Sequence, residues 1–132
     1  MHLTYTNRVR FAETDKQGIV FYGNYVTYQD EAVNGYLREV YPYDSFEGWD
    51  IHVVNVDLSY RTTASFEDEL ENRVGVAEIG ESSITFEYEC SRDGQVVAEG
   101  TVTHVAVDEE GRPTRVPDDF RAAVDAFESD GE

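Results

Sequence analysis

The chain holds one cysteine, Cys90, one lysine, Lys16, and no long apolar run. A lone cysteine excludes an internal disulfide and any cysteine-based zinc site built by one chain, and it fits a reducing cytoplasm. Without a stretch of roughly 20 apolar residues, and with the polar start MHLTYTNRVRF, neither a transmembrane span nor a signal peptide is expected. Positive charge is also scarce: 10 Lys plus Arg stand against 28 Asp plus Glu, a formal net charge of −18. Such a field repels phosphate backbones and anionic lipid, so nucleic-acid and membrane partners are not expected. The sequence has no Gly-x-Ser-x-Gly elbow and no phosphate-binding glycine loop. His2, His52 and His104 lie far apart in sequence, so no metal site is expected and each reads as a surface or sheet histidine.

What is abundant is acid, spread along the whole chain. An excess this large makes the compact state repel itself at low salt, whereas 1 M salt shortens the screening length to ~3 Å. The composition therefore reads as adaptation to a salt-rich cytosol, the habit of a halophile. An acidic protein-binding face is the alternative, and the even spread of charge counts against it.

The 132 residues are expected to form one domain, 1–132, long enough to bury a core without metal or disulfide, with 129–132 frayed. From Leu3 to Phe11 a period-two pattern sets Leu3, Tyr5, Val9 and Phe11 on one side, as in a strand. Glu13 to Val20 reads as a loop. From Phe21 or Tyr22, the residues Tyr25, Tyr28, Ala32, Val33, Tyr36, Leu37 and Val40 recur at helical spacing, and Pro42 ends the helix. Gly23 and Gly35 oppose it by up to ~1 kcal/mol each unless close packing requires them. A second strand alternates from His52 to Tyr60, and runs at Leu70–Ile79, Ser83–Ser91 and Gln95–Val107 read as a meander. Ile84, Phe86, Tyr88 and Cys90 give that sheet one dry face, and the helix is the only element large enough to cover it. A short terminal helix follows Pro117. The fold class is α+β, in the order β-α-β-β-β-β.

The most informative stretch is VRFAETDKQGIVFYGNYVTYQDEAVNGYLREV, Val9 to Val40. It delivers a carboxylate, Asp15, just before a helix N-terminus, where unpaired N–H groups and the helix dipole favour negative charge. An oxyanion forming at an ester or thioester carbonyl needs that environment, together with one carboxylate that attacks or activates water. Gly18 would let the backbone pass close to a substrate. A loop aspartate more commonly just accepts backbone N–H groups in a turn, so the surrounding motif carries the functional reading.

That motif resembles the hotdog-fold thioesterases of the 4-hydroxybenzoyl-CoA thioesterase type and their short-chain acyl-CoA relatives. It stands here as Phe11, Glu13, Thr14, Asp15, Gly18, Ile19-Val20, Phe21-Tyr22, Gly23 and Asn24-Tyr25. A second match, Thr63-Ala64-Ser65-Phe66-Glu67-Asp68-Glu69-Leu70, sits where that family enters its third strand. The resemblance implies a five-stranded antiparallel sheet wrapped on one long helix, and hydrolysis of an acyl-CoA to a carboxylic acid and free CoA without a cofactor. It assigns Asp15 as nucleophile or general base and the backbone N–H of Tyr22 as the donor to the carbonyl oxygen, with Gly18 and Tyr22 meeting substrate. It also implies a homodimer joined edge to edge, or a tetramer of two such dimers, with the site at the subunit interface. Glu13 reads as a structural or solvent-facing acid, and Asn24 as the residue that fixes the helix start.

Two departures are visible. Many short-chain members carry a histidine where Gly23 stands, so a mechanism using that histidine is unavailable. The family's phosphate-contacting basic residues are replaced by Ile79-Gly80-Glu81-Ser82-Ser83, leaving Arg61, Arg73, Arg92 or a second chain's arginines to meet CoA. Hydratases of similar fold use an Asp and His pair near this helix, and no histidine lies between His2 and His52. A non-catalytic acyl-CoA or carrier-protein binding module is the competing reading. The charge balance makes a prediction of its own: the thermal midpoint should rise from millimolar to molar KCl, and a flat or falling midpoint contradicts the salt adaptation.

Overall fold

A computed structural model describes residues 1–130. Strand β1 spans His2–Arg8 and runs through a 3-10 turn, Phe11–Glu13, into a loop and then helix α1, Asn24–Val40. After a second 3-10 turn at Tyr43–Ser45 come β2 (Trp49–Tyr60), β3 (Glu69–Ile79), β4 (Ser83–Arg92), β5 (Gln95–Asp108) and helix α2 (Asp118–Asp130). The five strands form one antiparallel sheet in the order β1-β3-β4-β5-β2. This is the expected α+β hotdog arrangement. Residues 131–132 of the tail expected to fray lie outside the described residues. Among the described residues no helix is long and apolar enough to cross a membrane.

Alternation explains the dry face. Leu70, Asn72 and Val74 of β3, Ile84, Phe86, Tyr88 and Cys90 of β4, and Val102, His104 and Ala106 of β5 are buried. Against them α1 buries Tyr25, Tyr28, Gln29, Ala32, Val33, Gly35 and Tyr36. The polar members of this interior are partly paired. The Tyr88 hydroxyl donates to Asn72 Oδ1 at 2.6 Å, and Asn72 Nδ2 donates to Asn7 Oδ1 at 2.9 Å, joining β4, β3 and β1. Helix α2 closes one end of the core with Phe120 on Tyr41 and Trp49, and with Phe127 on Tyr36. The Tyr36 hydroxyl donates to Glu128 at 2.5 Å.

Two local expectations are corrected. The period-two reading of Leu3 to Phe11 fails because a bulge between Leu3 and Tyr5 reverses the side-chain parity. Leu3 is therefore exposed, while Tyr5 and Val9 face inward; Phe11, past the end of the strand, is 76% exposed. Helix α1 begins at Asn24, two or three residues late, with Phe21 to Gly23 forming its entry turn. The expected second strand is β2, which lies at the sheet edge with Val53, Val54, Val56 and Tyr60 all exposed.

Gly35 has the packing reason that its position in a helix demands. A Cβ there would overlap the carbonyl oxygen of Thr4, whose hydroxyl donates to the Ala32 carbonyl at 2.7 Å. The helix thus touches β1 backbone to backbone. Elsewhere in the core, burial lowers the His104 imidazole from 6.5 to about 4, so the ring is neutral in the fold. Between those values the unfolded chain binds the extra proton, so this contribution is whole above 6.5 and is lost as pH falls toward 4.

Two stability outcomes follow. Gly35→Ala should raise helix propensity by up to ~1 kcal/mol and still destabilise the protein by about 1–3 kcal/mol, read from urea unfolding in molar salt. His104→Leu should lose less stability than the wild type between neutral pH and a pH midway between the two His104 values; equal losses would remove the buried histidine as a cause.

Candidate active site

The loop after β1 is held on both sides. Val9 N–H donates to Asp68 O and Glu67 N–H to Val9 O, while Thr14 bridges Val20 and Ile19 bridges Ser65. Within this frame the chain turns over Asp15 to Gly18. Asp15 N–H donates to Ile19 O at 2.8 Å, and Gly18 N–H to Asp15 O at 2.9 Å. Gly18 has φ +78°, a left-handed conformation that glycine adopts without a Cβ penalty. Asp15 is half-buried, and its Oδ1 accepts Gln17 N–H at 2.8 Å. The turn role expected of a loop aspartate is therefore filled by one oxygen. Among the described residues Oδ2 has no hydrogen bond.

Glu13 connects this turn to the helix. Its backbone carbonyl accepts Phe21 N–H at 2.9 Å and Asn24 Nδ2 at 2.8 Å. Its carboxylate accepts Arg10 N–H at 2.9 Å and the Tyr28 hydroxyl at 3.0 Å. Asn24 thus fixes the helix start, as expected, and Glu13 is a structural acid. Its partners belong to the loop on one side and to the first two turns of α1 on the other, which no spacing in the sequence reveals.

The helix start itself is uncapped. Gly23 occupies the N-cap without a side-chain hydrogen bond. Asn24, Tyr25 and Val26 donate to the carbonyls of Phe21, Tyr22 and Gly23. Among the described residues the N–H groups of Tyr22 and Gly23 have no acceptor. Two unpaired donors at the positive end of a 17-residue helix form an anion-binding position. Gly23, having no side chain, leaves this end without a side-chain cap.

Aromatic side chains rim the site. Tyr22 is 65% exposed, stacks obliquely on Phe21 at 4.7 Å and meets Tyr60 edge-on at 6.3 Å. The Tyr60 hydroxyl donates to the Tyr22 carbonyl at 3.4 Å. Phe11 lies edge-on to Phe66 at 5.9 Å, and both are exposed. In the single chain the site is open to solvent at Gly18 and Tyr22.

The candidate phosphate contacts are engaged elsewhere. Arg61 pairs with Glu99 at 2.8 Å, Arg92 with Asp68 at 2.9 Å, and Arg73 bonds to Ser91 and Glu71 at 3.3 Å each. Lys16 is exposed beside Asp15. Among the described residues no three His, Cys, Asp or Glu side chains converge as metal ligands would. Gln29, passed over in the apolar stripe of the helix, is fully buried. A glutamine between tyrosine and alanine positions on that face was the available signal.

Known proteins match this chain over most of its length. The profile of the thioesterase-like superfamily matches residues 9–124. A protein of Aquifex aeolicus named as a candidate esterase is 30% identical over 120 residues, which are 89% of this chain and 93% of its own. A hypothetical protein from Thermus thermophilus superposes with TM-score 0.87 at 30% identity, covering 95% of this chain and 98% of that one. A gentisyl-coenzyme A thioesterase superposes with TM-score 0.83 at 28% identity, covering 91% and 98%.

Proposed function

The chain belongs to the thioesterase-like superfamily, and from that premise we propose that it hydrolyses acyl-CoA thioesters to a carboxylic acid and free CoA. One observation carries this reading: Asp15 stands in a loop that Glu13 ties to the helix start, and among the described residues one of its carboxylate oxygens is held while the other, like the Tyr22 N–H, has no partner. The thioester carbonyl oxygen would accept the Tyr22 N–H, with the helix dipole stabilising the oxyanion as it forms. A donor of this kind typically contributes ~3 kcal/mol to the transition state.

Asp15 would then act in one of two ways. As general base it takes a proton from water, whose oxygen adds to the carbonyl carbon; collapse of the tetrahedral oxyanion expels CoA thiolate, which takes up a proton. As nucleophile its oxygen attacks the same carbon and expels the thiolate, leaving an anhydride that water opens to the acid and the free carboxylate. Gly18 would keep the turn clear of side-chain atoms where the substrate passes.

The same reading includes a second copy of the chain. Edge strand β2 has β5 as its single neighbour in the sheet, which leaves its outer backbone groups free to pair, and together with its exposed aliphatic and aromatic residues this supports a homodimer joined edge to edge. A tetramer of two such dimers is the larger form of that assembly. A partner would also cover the open aromatic rim and supply arginines for the CoA phosphates, since Arg61, Arg73 and Arg92 have partners of their own. The acidic surface supports a working environment of concentrated salt in the cytoplasm.

Thiol release from a panel of acyl- and aryl-CoAs in molar KCl tests the reading. Wild type should release thiol, and Asp15→Asn should lose at least about a hundredfold in kcat while keeping its melting transition. Binding without thiol release by either form would instead establish a non-catalytic acyl-CoA binding module.

A further inference from the structure

Two tyrosines on the buried stripe of α1 end in hydrogen bonds to a glutamate of another segment. Tyr36 donates to Glu128 of α2, and Tyr28 donates at 3.0 Å to Glu13, in the loop that carries Asp15. Tyr28 is 1% exposed and packs edge-on against Tyr25 at 5.6 Å, and the Glu13 side chain is 15% exposed. A phenylalanine ring would fill the same space in the core, so packing accounts for the ring of Tyr28 and leaves its hydroxyl to be explained. A hydrogen bond to an ionised carboxylate is roughly twice as strong as a neutral one, and this one is shielded from most of the surrounding water. Burial, and then the bond to Glu13, raise the Tyr28 hydroxyl above its ordinary range, so it remains a donor near neutral pH.

The contact has leverage on the site. Glu13 Oε1 also accepts the Arg10 N–H at 2.9 Å, so one carboxylate oxygen joins the entry of the loop to the second turn of α1. The backbone carbonyl of the same residue accepts Phe21 N–H and Asn24 Nδ2. Asp15 follows Glu13 by two residues, and Tyr22 lies between Phe21 and Asn24. Any slide of Glu13 along the helix therefore changes where Asp15 stands relative to the Tyr22 N–H. Of the helix groups that hold Glu13, the Tyr28 hydroxyl is the one anchored in the core, since Phe21 is exposed and Asn24 only half-buried.

Building on the thioesterase reading of the site, we propose that the Tyr28 hydroxyl is a positioning group for the reaction, holding Glu13, and through it Asp15, where hydrolysis requires it relative to the Tyr22 N–H. The hydroxyl acts through Glu13 and needs no contact with substrate, so its loss weakens turnover and spares binding. A misplacement of about 1 Å can cost on the order of a hundredfold in rate. The contacts that remain at Glu13 limit the shift, which makes a loss of ~10-fold the expected size.

Two hydroxyl deletions, assayed by thiol release in molar KCl, test this. Tyr28→Phe should lower kcat by ~10-fold with KM within about twofold of wild type. Tyr36→Phe is the matched control: it deletes a tyrosine–glutamate bond from the same helix, away from the loop, and should keep the wild-type kcat. Equal losses in both variants, or an unchanged kcat in Tyr28→Phe, overturn the positioning role. Glu13→Ala reads the link from its other end should Tyr28→Phe not fold, and adding Tyr28→Phe to it should slow turnover no further. A multiplied loss in the double variant means that the hydroxyl does not act through Glu13, and it too overturns the proposal. Amide hydrogen exchange supplies a readout free of the chemistry. The Arg10 and Phe21 N–H groups, both bonded to Glu13, should exchange ~10-fold faster in Tyr28→Phe but not in Tyr36→Phe, and equal exchange in all three proteins overturns the link. If wild type releases no thiol from any acyl-CoA, the hydrolase reading fails separately, and the exchange rates still decide whether the hydroxyl holds the loop.

Discussion

The structure depends on the clamping of helix α1 along β1 and the loop that follows it. At one end Gly35 brings the helix against the Thr4 carbonyl, and at the other Asn24 and Tyr28 bond to Glu13. The chain runs from Thr4 to Glu13 and the helix returns from Asn24 to Gly35, so two contacts at opposite ends fix both the position and the direction of the helix. Asp15 leaves one side of this clamp two residues after Glu13, and Tyr22 enters the other two residues before Asn24. A carboxylate on a loop and an N–H on a helix are thereby held without depending on each other's conformation, as a preorganised site needs.

The start of the helix is also tied to the edge of the sheet. Tyr60, the last residue of β2, donates to the Tyr22 carbonyl and lies against Tyr25 at 5.6 Å. Edge strand β2 exposes Val53, Val54 and Val56 as well as Tyr60, so this edge of the sheet, which reaches the candidate site through Tyr60, is left uncovered by the single chain.

Much of this was legible in the residues. The strand and helix periods of Leu70–Ile79, Ser83–Ser91 and Tyr25–Val40 matched the observed elements because each has one dry face, and a dry face imposes its period on the sequence. The order of elements then left only the helix to cover the sheet. Asp15, Gly18 and Asn24 were recognisable because turns and helix starts are local, with partners within about ten residues. Where a local pattern met a non-local constraint, reading it alone failed: the bulge at Thr4 turned Leu3 outward.

By itself the sequence determined the fold class, the acidic surface and the placing of a carboxylate before a helix, since each follows from composition or from spacing along the chain. Only the tertiary structure decided that Glu13 is the tie between loop and helix, that among the described residues the N–H groups of Tyr22 and Gly23 stay unpaired, and that Gln29 and His104 are buried. Those facts concern which groups lack water and which lack partners. Such properties belong to the packed molecule, because burial and hydrogen bonding are set by residues distant in sequence that come together only when the helix settles on the sheet.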